Sequence, residues 1–115
     1  MRLFGYILLA SVFLAGLASR AESPRFSQTL QVAQRGDAGA QFMLGTFYYY
    51  GREEVKKDYT QAAVWYRRAA EQGNVRAQIA LGLCYWRGEG VPKNYWKGAR
   101  LLVLPNGGLP KKETR

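Results

Sequence analysis

Histidine is absent from this 115-residue chain, and cysteine occurs once. The first absence removes the commonest general base and metal ligand, together with every Ser-His or Cys-His nucleophile arrangement. The second rules out an internal disulfide. Downstream of residue 21 the only serines are Ser23 and Ser27, and neither has a lysine three positions later, so a serine-lysine acylating arrangement lacks its base. Carboxylates are also scarce, 8 against 17 basic side chains. Their one adjacent pair, Glu53-Glu54, sits beside Arg52, Lys56 and Lys57, which reads as charge balancing on a solvated turn. The glycines fall after predicted helices rather than before them, so no phosphate-cradling loop is formed. These absences predict a non-enzymatic chain with no catalytic, cofactor-binding or metal-binding residues.

A long hydrophobic run is missing as well. The largely apolar stretch from Leu3 to Leu17 holds fifteen positions, below the roughly 18 expected of a spanning helix. It follows a basic start at Arg2 and runs into Ala18, Ser19 and Ala21. That order of basic, apolar and small residues is the pattern of a secretory signal peptide over residues 1–21. Cleavage after Ala21 starts the mature chain at Glu22, and cleavage after Ala18 is the close alternative. The expectation is export to a periplasmic or extracellular space with no stable membrane span. The lone Cys84 then reads as a small core hydrophobe on a helix, with pairing between chains as its alternative. Without Arg2 and Arg20, 15 basic and 8 acidic side chains remain on 94 residues. This charge favours anionic surfaces. Export argues against nucleic acid, and the cations are scattered through Lys56, Lys57, Arg67, Arg68, Lys93, Lys97 and Arg100 rather than clustered.

The dominant positive feature is an internal repeat. AQFMLGTFYYYG from Ala40 returns as AQIALGLCYWRG from Ala77, with Gly45 and Gly82, Tyr48 and Tyr85, and Gly51 and Gly88 each 37 apart. Val55 and Val91, and Tyr59 and Tyr95, are 36 apart, so the first unit carries one extra residue between Gly51 and Val55. Surface turns absorb such insertions cheaply. VAQRGD ending at Asp37 matches AAEQGN ending at Asn74, which marks an earlier half unit from Pro24. A repeat of this length cannot bury its own apolar face and must stack on neighbours.

Polar caps and glycines divide the chain into helices near 24–35, 38–50, 59–72, 75–87 and 95–104. Ser23, Asp37, Asp58, Asn74 and Asn94 precede the five, Pro24 stands at a first helical position, and Asp58 with Gln61 has the spacing of a capping box. Gly36, Gly51, Gly73 and Gly88 fall where left-handed helix ends are required. Ala40, Leu44, Phe47 and Tyr48 share one stripe, as do Ala77, Leu81, Cys84 and Tyr85, and these predict the core. Gly45 and Gly82 lie inside helices, where glycine costs about 1 kcal/mol against alanine and implies a compensating close backbone approach. Ala62, Ala63, Ala69 and Ala70 allow the same closeness, with Trp65 and Tyr66 as the large bodies between.

DAGAQFMLGTFYYYG, the V-K-K-D-Y turn, AAVWYRRAAEQGN and NVRAQIALGLCYWRGEGVPKNY resemble the Sel-1-like repeat family over about half of the chain. The resemblance implies an all-α, right-handed solenoid related to tetratricopeptide repeats, of about two and a half units: a half unit at 24–36, a unit at 37–73 and a degraded unit at 74–104. Gly98 stands in place of Ala62, Leu101 in place of Trp65 and Pro105 in place of Ala69, and residues 105–115 read as a disordered tail. It also implies an adaptor or scaffold that recruits another protein. Tyr49 and Trp86, with Tyr50, Arg52 and Arg87 near the same helix ends, form the aromatic-plus-arginine mixture of interaction hot spots. Phe42 and Ile79 are expected between neighbouring units. The incomplete array leaves self-association through the C-terminal end as a further expectation. A basic envelope-associated protein that binds anionic polymers, or a truncated fragment without independent function, remains the alternative. Cysteine-rich relatives of the repeat pair two cysteines per unit, and that feature does not carry over to Cys84.

Overall fold

The computed structural model describes residues 23–103. The expected export segment and the C-terminal tail lie outside the described residues. Five helices follow one another: α1 (Pro24–Gln34), α2 (Ala38–Tyr50), α3 (Tyr59–Glu71), α4 (Val75–Arg87) and α5 (Tyr95–Val103), with no strand among the described residues. Each packs on its chain neighbours, most extensively α2 on α3 and α4 on α5. The fold is an all-α helical repeat in which α2–α3 and α4–α5 are the two hairpin units and α1 is the leading half.

Every expected N-cap is formed. The side chains of Ser23, Asp37, Asp58, Asn74 and Asn94 accept from the amides of Phe26, Ala40, Gln61, Ala77 and Lys97 at 2.7–3.1 Å. The capping box at Asp58 is only half made. Its own amide donates to the carbonyl of Tyr48 at 2.8 Å instead of meeting Gln61. The Asn94 amide repeats that bond to Tyr85 at 2.9 Å, so the cap of each second helix is tied to the end of the first. Gly36, Gly51, Gly73 and Gly88 all take positive φ.

The core divides into two clusters that share α3. Phe26 and Ala33 of α1, Leu44 and Phe47 of α2 and Trp65 of α3 form one. Ala62, Ala63, Tyr66, Ala69 and Ala70 of α3 join Ala77, Leu81, Cys84 and Tyr85 of α4 and Leu101 of α5 in the other. The departures at Gly98 and Leu101 are accommodated by packing. Leu101 is as buried as Trp65, and a Cβ at Gly98 would lie 2.8 Å from the carbonyl oxygen of Gly82 and 3.1 Å from the amide nitrogen of Trp86. The α4–α5 hairpin thus closes through two facing glycines. In the first unit Gly45 is instead covered by the ring of Tyr66.

Of the glutamate pair, Glu54 stays exposed on the turn while Glu53 is tied into the fold. Glu53 and Glu54 hold φ of 55° and 62°, conformations that side chains disfavour, and the Glu53 carboxylate accepts from Ser23 Oγ at 2.7 Å and pairs with Arg25 at 3.6 Å. Its backbone carbonyl also receives the Ser23 amide. The turn thus places a carboxylate at the N-terminus of α1, where the helix dipole favours it.

One buried pair of repeat equivalents is satisfied differently in the two units. Gln41 donates to the Ala33 carbonyl at 3.1 Å and accepts from Gln72 at 2.7 Å. Its counterpart 37 residues on, Gln78, is 3% exposed, and its side-chain nitrogen has no acceptor among the described residues. The carbonyl equivalent to that of Ala33 is that of Ala70 in α3, and the Gln78 nitrogen makes no bond to it.

Three outcomes are expected from equilibrium urea unfolding. Gly98→Ala should cost about 1–3 kcal/mol despite its better helix propensity, because the added methyl meets backbone atoms. Gln41→Met should lose about 1 kcal/mol, whereas Gln78→Met should be neutral or stabilising, since it removes a donor that has no partner. The third concerns pH. Burial pushes the Tyr66 hydroxyl up to about 12 and the Cys84 thiol up to about 11. Both are raised above their ordinary values, so their contribution is complete below about pH 9 and is lost as pH rises through the folded values. Cys84→Ser and Tyr66→Phe should each flatten the decline between pH 9 and 12.

Candidate functional site

The first helices of the units, α2 and α4, present equivalent positions on one side of the molecule. Of the five candidate residues, Tyr49, Tyr50, Arg52 and Arg87 form one connected cluster. Tyr49 is half-buried, with its ring 4.9 Å from those of Tyr50 and Tyr59 and 6.3 Å from Tyr66. Its hydroxyl contacts both carboxylate oxygens of Glu89 at 2.9 Å, donating its one proton to that group, and accepts from Arg87 at 3.3 Å. Burial, and then the Glu89 bond, raise its pKa. Tyr49 thus joins the two units. Tyr50 projects beyond it, 58% exposed, with the Arg52 guanidinium 4.7 Å from its ring centroid. Arg87 pairs with Glu89 at 3.7 Å while remaining open to solvent. The arrangement offers an aromatic ring, a stacked cation and a second cation whose orientation is fixed by a carboxylate.

Trp86 stands apart from this cluster. Its ring lies 4.9 Å from Tyr95 at 69° and it is 45% exposed. Tyr49 and Tyr59 make the equivalent contact in the preceding unit, but there the following unit covers it. The same holds for the pair expected between units. Phe42 packs on Tyr66 with ring centroids 5.7 Å apart, whereas Ile79 is 45% exposed.

Sequence reasoning missed Glu89, the residue that organises the cluster. A signal for it existed in the 36-residue register, which aligns Glu53 with Glu89 just as it aligns Val55 with Val91. Both carboxylates reach back to a hydroxyl of the preceding unit, Ser23 in one case and Tyr49 in the other. Also missed were Met43 on the same side of α2, 39% exposed, and Trp96 at the start of α5.

Elsewhere, an open cleft of about 190 Å³ lies between α3 and the second unit's turn, floored by Ala63, Val64 and Val91 and rimmed by Arg67, Arg68 and Glu71. Among the described residues no three histidine, cysteine or carboxylate side chains come together to hold a metal ion. No described helix is long and apolar enough to cross a membrane.

Known proteins share this architecture. The family model described as Sel1 repeat matches residues 38–74 and 75–102. An ERAD-associated E3 ubiquitin-protein ligase component, HRD3A of Arabidopsis thaliana, is 39% identical over 73 residues, which are 63% of this chain and 11% of that protein. The chain spans little more than a tenth of the length of the curated relatives it matches. Among solved structures, a Sel1 repeat protein from Oxalobacter formigenes aligns with a TM-score of 0.64 at 32% identity, covering 66% of this chain and 57% of that one. Cysteine rich protein B of Helicobacter pylori aligns with a TM-score of 0.63 at 25% identity, covering 71% of this chain and 65% of that one. The family model spans both hairpin units and the solved relatives have their fold, so the chain belongs to the Sel1 repeat family.

Proposed function

We propose that this protein is an exported scaffold that binds another protein through the first-helix side of its two units. The observation that carries the reading is the exposed pair of Tyr50 and Arg52, stacked at 4.7 Å beside Arg87. An aromatic ring and guanidinium groups held in place before binding lose little entropy on contact, and these residue types dominate measured hot spots. Tyr49 supports the surface from below and adds little contact area of its own. Membership of the Sel1 repeat family supports the scaffold role, because a stacked helical repeat presents an extended surface without enclosing a reaction chamber. The export half of the reading rests on residues 1–21, with the mature protein located in the periplasm or outside the cell.

The test has two arms. Expression of the full chain followed by fractionation and N-terminal sequencing should yield a product beginning at Glu22 outside the cytoplasm. A product that retains Met1 in the cytoplasm would refute export. A photo-crosslinking residue placed at Tyr50 should give a discrete protein adduct in 0.3 M salt, and an added Arg52→Ala should weaken its formation about tenfold. An adduct that disappears between low and physiological ionic strength would instead support attraction to anionic polymers.

A further inference from the structure

The first unit shows which surface a following unit meets: Phe42 and Tyr49 of α2, and Tyr59, Ala63, Tyr66 and the backbone of Thr60 of α3, the Thr60 side chain staying exposed. Phe42 and Tyr49 pack against the second cluster, of which Ala63 and Tyr66 are part. The turn between α4 and α5 rests on the start of α3 so closely that a Cβ at Gly90 would lie 2.0 Å from the Tyr59 carbonyl oxygen. Counting 37 residues on in α4 and 36 in α5 gives the equivalents Ile79, Trp86, Tyr95, Trp96, Ala99 and Leu102. Five of these are large, and together with Val103 they make six of the eleven exposed large hydrophobics among the described residues. Trp96 is 88% exposed and Val103 77%. Exposed apolar side chains gathered on one face mark an interaction site.

Charge identifies the occupant. Residues 75–103 hold five basic side chains, Arg76, Arg87, Lys93, Lys97 and Arg100, and one carboxylate, Glu89, which is already bound to Tyr49. Lys93 lies 4.8 Å from the Tyr95 ring centroid. Arg100 shares a helical stripe with Trp96 and Val103, and Arg76 shares one with Ile79. At each of the two inner junctions a carboxylate of the incoming unit meets a hydroxyl of the preceding one, Glu53 on Ser23 and Glu89 on Tyr49. At this face the position of Tyr49 is taken by Trp86, whose indole N–H is a donor only, and no described carboxylate reaches it. A second copy would bring the same cations against these, and like charges across an interface are costly.

We infer that the face formed by Trp86, Tyr95, Trp96, Leu102 and Val103 docks an acidic amphipathic helix of another protein, its apolar stripe on the aromatic rings and a carboxylate at the Trp86 indole. The inference rests on the protein-binding reading but on a different surface from Tyr50 and Arg52. The probe is a labelled synthetic helix of about four turns, with a leucine stripe and a glutamate polar face, titrated with the full chain and followed by fluorescence anisotropy. The same peptide with lysine for glutamate is the control. The glutamate peptide should bind at least about tenfold more tightly than the lysine peptide, and Trp96→Ser and Val103→Ser should each weaken it about tenfold. Both side chains are exposed, so unchanged circular dichroism should accompany the loss. Tyr50→Ala should leave this binding unaltered. Equal binding of the two peptides overturns the inference, as does indifference to both serine variants. Sedimentation that shows dimers abolished by Trp96→Ser would also overturn it, by making the occupant a second copy. If Tyr50→Ala alone weakens the glutamate peptide, the first-helix surface stands and this docking face falls.

Discussion

No unit of this protein can bury its own apolar face, and the arrangement of the molecule follows from that constraint. The middle helix α3 resolves it by being buried on two sides. Trp65 fills the space toward α1 and α2, while Ala63, Tyr66 and Ala70 meet α4. The alanines bring the backbones close enough for dispersion contacts to accumulate, and the large rings fill what remains. A single helix thus connects two cores that would each be too small to hold alone. Because the most extensive interfaces are between helices adjacent in the chain, stability is close to a sum over neighbours. The exposed surfaces are then decided at each junction separately.

Between the junctions, the turns do more than connect. Glu53 and Glu89 occupy the same repeat position, and each sends its carboxylate back to a hydroxyl of the preceding unit. Glu53 also pairs with Arg25 in the first turn of α1, and Glu89 aligns Arg87 beside Tyr49. Hydrogen bonds to a charged acceptor are stronger than neutral ones, and a partly buried pair is screened less than a surface pair. The positive φ of Glu53 and Glu54 shows that the turn accepts backbone strain to deliver this contact. One charge per turn therefore ties successive units together and fixes part of the candidate binding cluster.

The helices, their caps and the core stripes were legible in the sequence because each depends on residues a few positions apart. Asp37, Asp58, Asn74 and Asn94 cap from a spacing of three, and Leu44 with Phe47 or Leu81 with Cys84 share a face at helical period. Long-range contacts were not legible in this way. Nothing local distinguishes Glu53 bound to Ser23, 30 residues away, from a solvated glutamate, nor Glu89 bound to Tyr49, 40 residues away. The Asp58 amide likewise prefers the Tyr48 carbonyl to the capping partner that the local spacing suggests. The candidate residues Tyr49 and Trp86 looked alike because they are repeat equivalents. Only the stacking order separates them, the first covered by a following unit and the second open.

The two ends of the described array differ in a way that local propensity does not explain. The outward residues of α1 are polar, Arg25, Gln28, Gln31 and Arg35, with Val32 as the one large apolar side chain among its exposed positions. Such a polar face is one that water can satisfy. The outward residues of α5 are Trp96, Leu102 and Val103, beside Trp86 and Ile79 of α4. Leaving such side chains in water forgoes roughly 1.5–3 kcal/mol for each one that could be buried. Gly98 makes the contrast sharper, since it draws α5 tightly onto α4 through backbone contact with Gly82. That close approach holds the outer rings on a firmly seated helix rather than a loose one, so their exposure is a built feature of the packing. A rigid apolar face with a basic rim loses little order on binding, and this is the condition under which buried area converts most fully into affinity.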